Sequence, residues 1–329
     1  MTLASKMNGW FALITLAFLV PSWLGYRLSA EADAGMMLLL VALFGIPHGA
    51  IDHVIYNHTK AQPDRGRQLL MRFFMPYLGL LLAMGAGWLL WADGMFWIFL
   101  LTAAFHFGQS QLHSIGLAER QPLKWLLYIA WGSLLLSHLW LTHWQSQVPV
   151  LSPVFAWNFS PDASLYYMVA AVRIASAVGV PLLLGYCSAR KWMTVPQLLQ
   201  ELLVLALLVL TIQYCSMYTA FALYFGLWHS LRVIITEYHF LRSSVGTGYS
   251  WRRFVQSFLP FSLLSFAGLA LFFAAQQLFS FSISPFLLFL MFISALTAPH
   301  AIIMSGMYSW LPGQAVRTRA SVGTAASPL

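Results

Sequence analysis

Charge is what this chain lacks most. Only 8% of its 329 residues are Asp, Glu, Lys or Arg, against 60% hydrophobic residues, and the mean hydropathy is +0.74. A soluble domain carries roughly a quarter charged residues, so an ordinary water-exposed fold is excluded. Cysteine is nearly absent. Cys187 and Cys215 lie in or near apolar runs and form neither a disulfide framework nor a CxxC metal motif. No internal repeat and no second domain is visible. The net charge of +8 does not point to a nucleic-acid partner, because the basic residues sit mostly in short loops between apolar runs.

Those runs are what the chain has in abundance. Stretches close to the roughly 20 residues that cross a bilayer recur along most of the sequence. In lipid, spanning segments must be helices or a closed barrel. Here the apolar residues are continuous rather than alternating, which selects helices. The expectation is an all-α polytopic transmembrane bundle over 1–311, with cores near 9–28, 36–56, 70–92, 95–115, 123–142, 165–187, 195–214, 217–238, 254–277 and 284–308. That makes about ten spans. The small, polar segment 312–329 reads as a disordered tail. No small-residue cleavage site follows the Lys6 start, so the first run reads as a span.

Loop charge orients the bundle. Lys60, Arg65, Arg67 and Arg72 cluster after the second run, Arg120 and Lys124 after the fourth, Arg190 and Lys191 after the sixth, and Arg242, Arg252 and Arg253 after the eighth. The intervening connections hold Glu31, Asp33, Asp93 and Asp162, with Arg27 the one basic residue among them. Lys and Arg in short loops mark the cytoplasmic side. The reading is a multi-pass protein of the inner (plasma) membrane with both termini cytoplasmic. The 144–164 connection, with Trp157 among prolines, reads as an aromatic cap.

Four apolar runs each carry a histidine at similar depth: His48, His106, His229 and His300. Ionisable groups inside a span are costly and mark sites. Four imidazoles at one level suit an intramembrane metal, and neutral imidazole takes Fe, Zn or Cu. A lone histidine in a span is as often a hydrogen-bonding packer between helices; the common depth favours the shared site. Asp52 follows His48 by four residues and shares its face in a regular helix. It reads as a hydrogen-bond acceptor that orients a ligand. Gln109 reads as orienting His106, and His53 as a further neighbour of the site. Arg232 and Glu237 read as an ion pair. Pro47 and Pro299 directly precede His48 and His300 and read as kinks that aim them inward. The aromatic stripe Tyr218, Phe221, Tyr224, Phe225 and Trp228 suits a long apolar ligand, though such stripes are more often packing.

Gly45-Ile-Pro-His-Gly-Ala-Ile-Asp-His53, Phe105-His-Phe-Gly108, Leu227-Trp-His-Ser230 and Ala298-Pro-His300 together resemble the Brp/Blh family of bacterial and archaeal membrane β-carotene dioxygenases. The resemblance runs from 45 to 300. It implies an iron-dependent enzyme, with Fe(II) held by His48, His106, His229 and His300. Such an enzyme cleaves β-carotene at its central double bond with dioxygen to give retinal. Its implied partners are the carotenoid, O2, the bilayer and a retinal-accepting rhodopsin. Some members carry a second histidine where Val233 stands here. With Tyr224, Phe225 and Trp228, Val233 is assigned to the substrate wall. Two other readings stay open: a non-catalytic carotenoid- or retinal-binding protein, and a transporter using a His/Asp relay. No lysine lies deep within a span, which argues against a retinal Schiff base.

Overall fold

The computed structural model describes residues 3–325 apart from 61, 118–120, 153, 156, 158–159, 161–162, 247 and 280–282. Side chains are described within 7–311, Phe279 excepted. Arg120, Pro153, Pro161, Asp162, the Lys6 side chain and the side chains of the 312–329 segment lie outside this set.

Among the described residues the chain is helical, with no strand. The order is α1 (Leu3–Trp23), α2 (Ala30–His58), α3 (Arg67–Leu90), α4 (Ala92–Leu112), α5 (Pro122–Thr142), α6 (Trp144–Leu151), α7 (Ser164–Ala189), α8 (Val195–Tyr214), α9 (217–245), α10 (Trp251–Phe279) and α11 (Pro285–Ala325). Seven of these, α2, α3, α5, α7, α8, α10 and α11, are long and apolar enough to cross a membrane. The expected count of about ten is therefore not reached, although a helix stands at every expected position. The shortfall has a physical reason. The apolar part of α1 is short, and α4 and α9 carry His106, Gln109, Ser110, His229, Arg232 and Glu237, whose polarity lowers their hydropathy. Those polar side chains are buried within the bundle.

Two helices that carry site residues are irregular. In α2 the turn Val41–Gly45 is widened, with Ile46 N–H donating to the Val41 carbonyl at 2.9 Å. A tight turn over Pro47–Gly49 follows, and the helix resumes at Asp52. Proline has no N–H and its ring displaces the carbonyl four residues back, which accounts for the break. In α9 the widened stretch is longer, Ala222–Leu231, and includes His229. Widened turns of this kind concentrate at functional sites. Pro299, by contrast, interrupts nothing, because α11 is continuous through it.

Close approach fixes the remaining positions. A Cβ on Gly108 would fall 2.0 Å from the Tyr128 carbonyl oxygen, and one on Gly132 2.0 Å from that of Ala104. Only glycine permits α4 and α5 to touch backbone to backbone in this way. Asp33 of α2 accepts from the Ser216 and Thr219 hydroxyls at the start of α9, while Ser216 Oγ also caps Thr219 N–H at 3.1 Å. Trp88 Nε1 donates to Ser294 Oγ at 2.5 Å and ties α3 to α11. Helices α2, α9, α4 and α11 thus adjoin one another in a closed circuit. Around the 144–164 connection, Trp140, Trp144, Phe155 and Trp157 form an aromatic cluster, with Phe155 and Trp157 stacked at 4.3 Å.

Candidate metal centre

The circuit of helices brings the four histidines into a circuit of rings. Ring centroids lie 4.7 Å apart for His48–His300, 4.9 Å for His300–His106, 4.9 Å for His106–His229 and 5.2 Å for His229–His48. Each neighbouring pair meets edge to face, at 81–87°. All four are buried. His48, His106 and His300 each offer a ring nitrogen within 4.8 Å of the others. His229 completes the circuit between His106 and His48.

Hydrogen bonds outside the circuit set the tautomers. His48 Nδ1 is 2.5 Å from the Gly45 carbonyl oxygen, which can only accept, so Nδ1 carries the proton and Nε2 keeps its lone pair. His300 Nδ1 donates to Asp52 Oδ1 at 2.8 Å. Ser110 Oγ donates to the Phe107 carbonyl at 2.9 Å and so accepts from His229 Nδ1 at 3.0 Å. Three imidazoles are therefore oriented through Nδ1 by groups behind them, an arrangement typical of metal-binding histidines. The inward nitrogens have no such partner. His229 Nε2, His300 Nε2 and both nitrogens of His106 are buried without any hydrogen bond. Leaving a buried polar group unpaired costs about 1–3 kcal/mol. Convergence of several such atoms fits a metal ion, and the all-imidazole donor set suits iron, zinc or copper.

Asp52 accepts as expected, but from His300 rather than His48, because the break at Pro47–Gly49 takes it off the His48 face. Its second oxygen accepts from Tyr77 Oη at 3.0 Å. Gln109 does not reach His106. It accepts from Ser305 Oγ at 3.0 Å. His53 packs its ring on Phe261 at 4.4 Å. Arg232 and Glu237 form no ion pair: Arg232 donates to Asn8, and the Glu237 oxygens have no hydrogen-bond partner. Tyr77 and Ser110 had no role in the sequence reading. Tyr77 lies in a different apolar run from its partner. Ser110 sits one turn beyond His106 yet serves His229 on another helix.

A cavity of about 470 Å³ opens beside the imidazoles. All four histidines line it, together with Tyr77, Phe107, Phe225 and apolar residues of α3, α10 and α11. Its lining includes Leu78 (46% exposed) and Leu264 (67% exposed), so its mouth lies on the outer surface between α3 and α10. Of the four residues assigned to the substrate wall, Phe225 alone borders it. Tyr224 packs behind, edge-on to Phe107 at 5.3 Å. Trp228 turns to α1, donating to Thr15 Oγ1 at 2.8 Å. Val233 is fully buried in a separate apolar cluster with Ile51, Ile55 and Phe240. Tyr224 neighbours Phe225 and so points about 100° away from it, the widened stretch turns Trp228 off the Phe225 face, and Val233 lies beyond that stretch on Arg232–Val245.

No curated protein and no solved structure matches the chain. A family model does match, over residues 39–308, and its description is β-carotene 15,15′-dioxygenase. The matched stretch contains all four histidines, Asp52, Tyr77 and Ser110. The chain therefore belongs to the β-carotene 15,15′-dioxygenase family.

Proposed function

We propose that the protein is an iron-dependent dioxygenase that splits β-carotene at its central double bond. One carbon–carbon double bond and one O2 are consumed, both oxygen atoms enter product, and two retinal aldehydes result. The observation that carries this reading is the set of unpaired imidazole nitrogens converging beside an apolar cavity. His48, His106, His229 and His300 would hold the iron. Iron held there would supply the activation of dioxygen that lets it react with a polyene, a reaction that is otherwise slow. The chain's own residues do the rest. Gly45, Asp52 and Ser110 hold three rings with Nε2 inward. The apolar wall excludes water and accepts a hydrocarbon chain. The basic-loop alternation supports a plasma-membrane location with cytoplasmic termini, which reporter fusions after Ala30 and Asp93 test by reading as external.

The deciding experiment is expression in a β-carotene-producing bacterium, with pigment extracts assayed for retinal and the purified protein assayed for iron. Retinal together with about one iron per chain is the expected result. Bound carotenoid with no retinal sinks the dioxygenase reading in favour of a binding protein.

A further inference from the structure

A second cavity, of about 90 Å³, lies beyond the first. Phe107, Phe225, Ile293 and Thr297 line both. The two phenylalanines form the septum against the imidazoles. Phe107 sits edge-on to His229 at 4.7 Å, and Phe225 stacks on it at 5.8 Å and meets His48 edge-on at 6.0 Å. Past the septum the lining passes up α11 through Leu290 to Phe286, and takes in Leu139, Trp140 and Val150. From His300 to Phe286 is roughly 21 Å of helix at 1.5 Å per residue.

The arrangement bears on a problem of shape. A polyene that reacts at its central bond has as much chain beyond the reacting carbons as before them. The conjugated chain is stiff and cannot fold back. The first cavity, with its mouth between α3 and α10, is lined by all four histidines, whereas the second is lined by none of them and lies across Phe107 and Phe225. We propose that the second cavity is the blind arm of one divided tunnel. In this reading Phe107 and Phe225 are the gate through which the leading half of the carotenoid passes. The depth of the blind arm then decides which double bond stops at the imidazoles. Leu290 and Val150, which line the second cavity and not the first, become determinants of substrate length and cleavage position. This inference rests on the carotenoid reading above.

The test separates the two. Full-length protein in lipid nanodiscs is titrated with β-carotene and, separately, with retinal as a half-length polyene, following the absorbance of the bound pigment. Leu290→Trp and Val150→Trp each fill the blind arm. Both should weaken β-carotene binding by roughly tenfold or more, a discrimination typical of a filled apolar pocket, while retinal, which needs only the entry arm, binds as to the parent. Any cleavage that persists in the variants should shift from equal to unequal products. Unchanged β-carotene affinity in both variants overturns the proposal, as does equal loss of both ligands, because the arms would then not be separate. A parent protein that binds no β-carotene overturns it too. A parent that binds β-carotene but never yields retinal refutes the dioxygenase reading and leaves the comparison of the two ligands intact.

Discussion

Lys124 and His106 are each 1% exposed inside an apolar bundle, yet their polar atoms meet opposite fates. The Lys124 ammonium donates to three carbonyls, those of His113, Ile115 and Leu117, at 2.8, 3.0 and 2.8 Å, and so closes the chain after α4. Neither His106 nitrogen has a partner. Asp33 resembles the lysine, with its carboxylate held by two hydroxyls. His229 and His300 resemble His106 on their inward side. Burial alone therefore does not separate structural polarity from functional polarity. Convergence adds what burial lacks: unpartnered atoms also occur singly, as on Glu237, whereas the open nitrogens of His106, His229 and His300 lie in one circuit of rings, each at a cost in stability.

Substitutions on the two sides should break this contrast or sharpen it. The largest effect is expected at His106→Ala. Elemental analysis should find no bound metal above background and pigment extracts no retinal, while the helical circular dichroism is retained; retained iron would remove His106 from the ligand set. Lys124→Met should do the reverse. It strands up to three buried carbonyls at about 1–3 kcal/mol each, so thermal stability should fall by several degrees while metal per folded chain holds. Loss of metal with unchanged melting would erase the distinction.

Asp52→Asn comes next. It weakens the acceptor behind His300 without removing a ring nitrogen, and such changes cost about 10- to 100-fold in affinity or activity. Metal competition with a chelator measures it, and a loss as complete as that of His106→Ala would make Asp52 a direct ligand. Val233→Ala tests the reassignment of that residue from wall to core. Its expected cost is about 1–2 kcal/mol of stability with carotenoid preference unchanged, and a changed product profile would return it to the substrate wall.

The smallest effect lies outside the spans, where Lys60 and Arg72 pair with Asp64. The hydrogen bond from Lys60 holds the Asp64 carboxyl below the usual carboxylate range. A depressed carboxyl adds stability above its ordinary value of about 4, and that stability is lost as pH falls through the lower folded value. Asp64→Asn should flatten this acid limb in melting curves taken across pH, and a limb of unchanged steepness assigns it to other groups.

What the sequence made legible follows the same physics. A helix stood at each expected position because twenty apolar residues leave a chain few alternatives. The four histidines were legible as a group because depth along a helix is simple arithmetic. Azimuth was not legible. Face assignments assumed regular turns, and the tight turn Pro47–Gly49 and the widened stretch Ala222–Leu231 broke that regularity on the very helices that mattered. Asp52 was thus paired with His48 where the structure pairs it with His300, and Tyr224, Trp228 and Val233 lie off the cavity that Phe225 borders. Tyr77 left no local trace, since its partner Asp52 is 25 residues away and on another helix.

The mouth between Leu78 and Leu264 has a kinetic consequence. In the proposed dioxygenase, a mouth flanked by these exposed leucines would draw the carotenoid sideways from the lipid phase. The relevant concentration there is moles of carotenoid per mole of lipid. Adding empty lipid at fixed protein and pigment should slow turnover, whereas adding water should not. The membrane then acts as the reaction solvent, and its composition sets the dose of substrate that the protein meets.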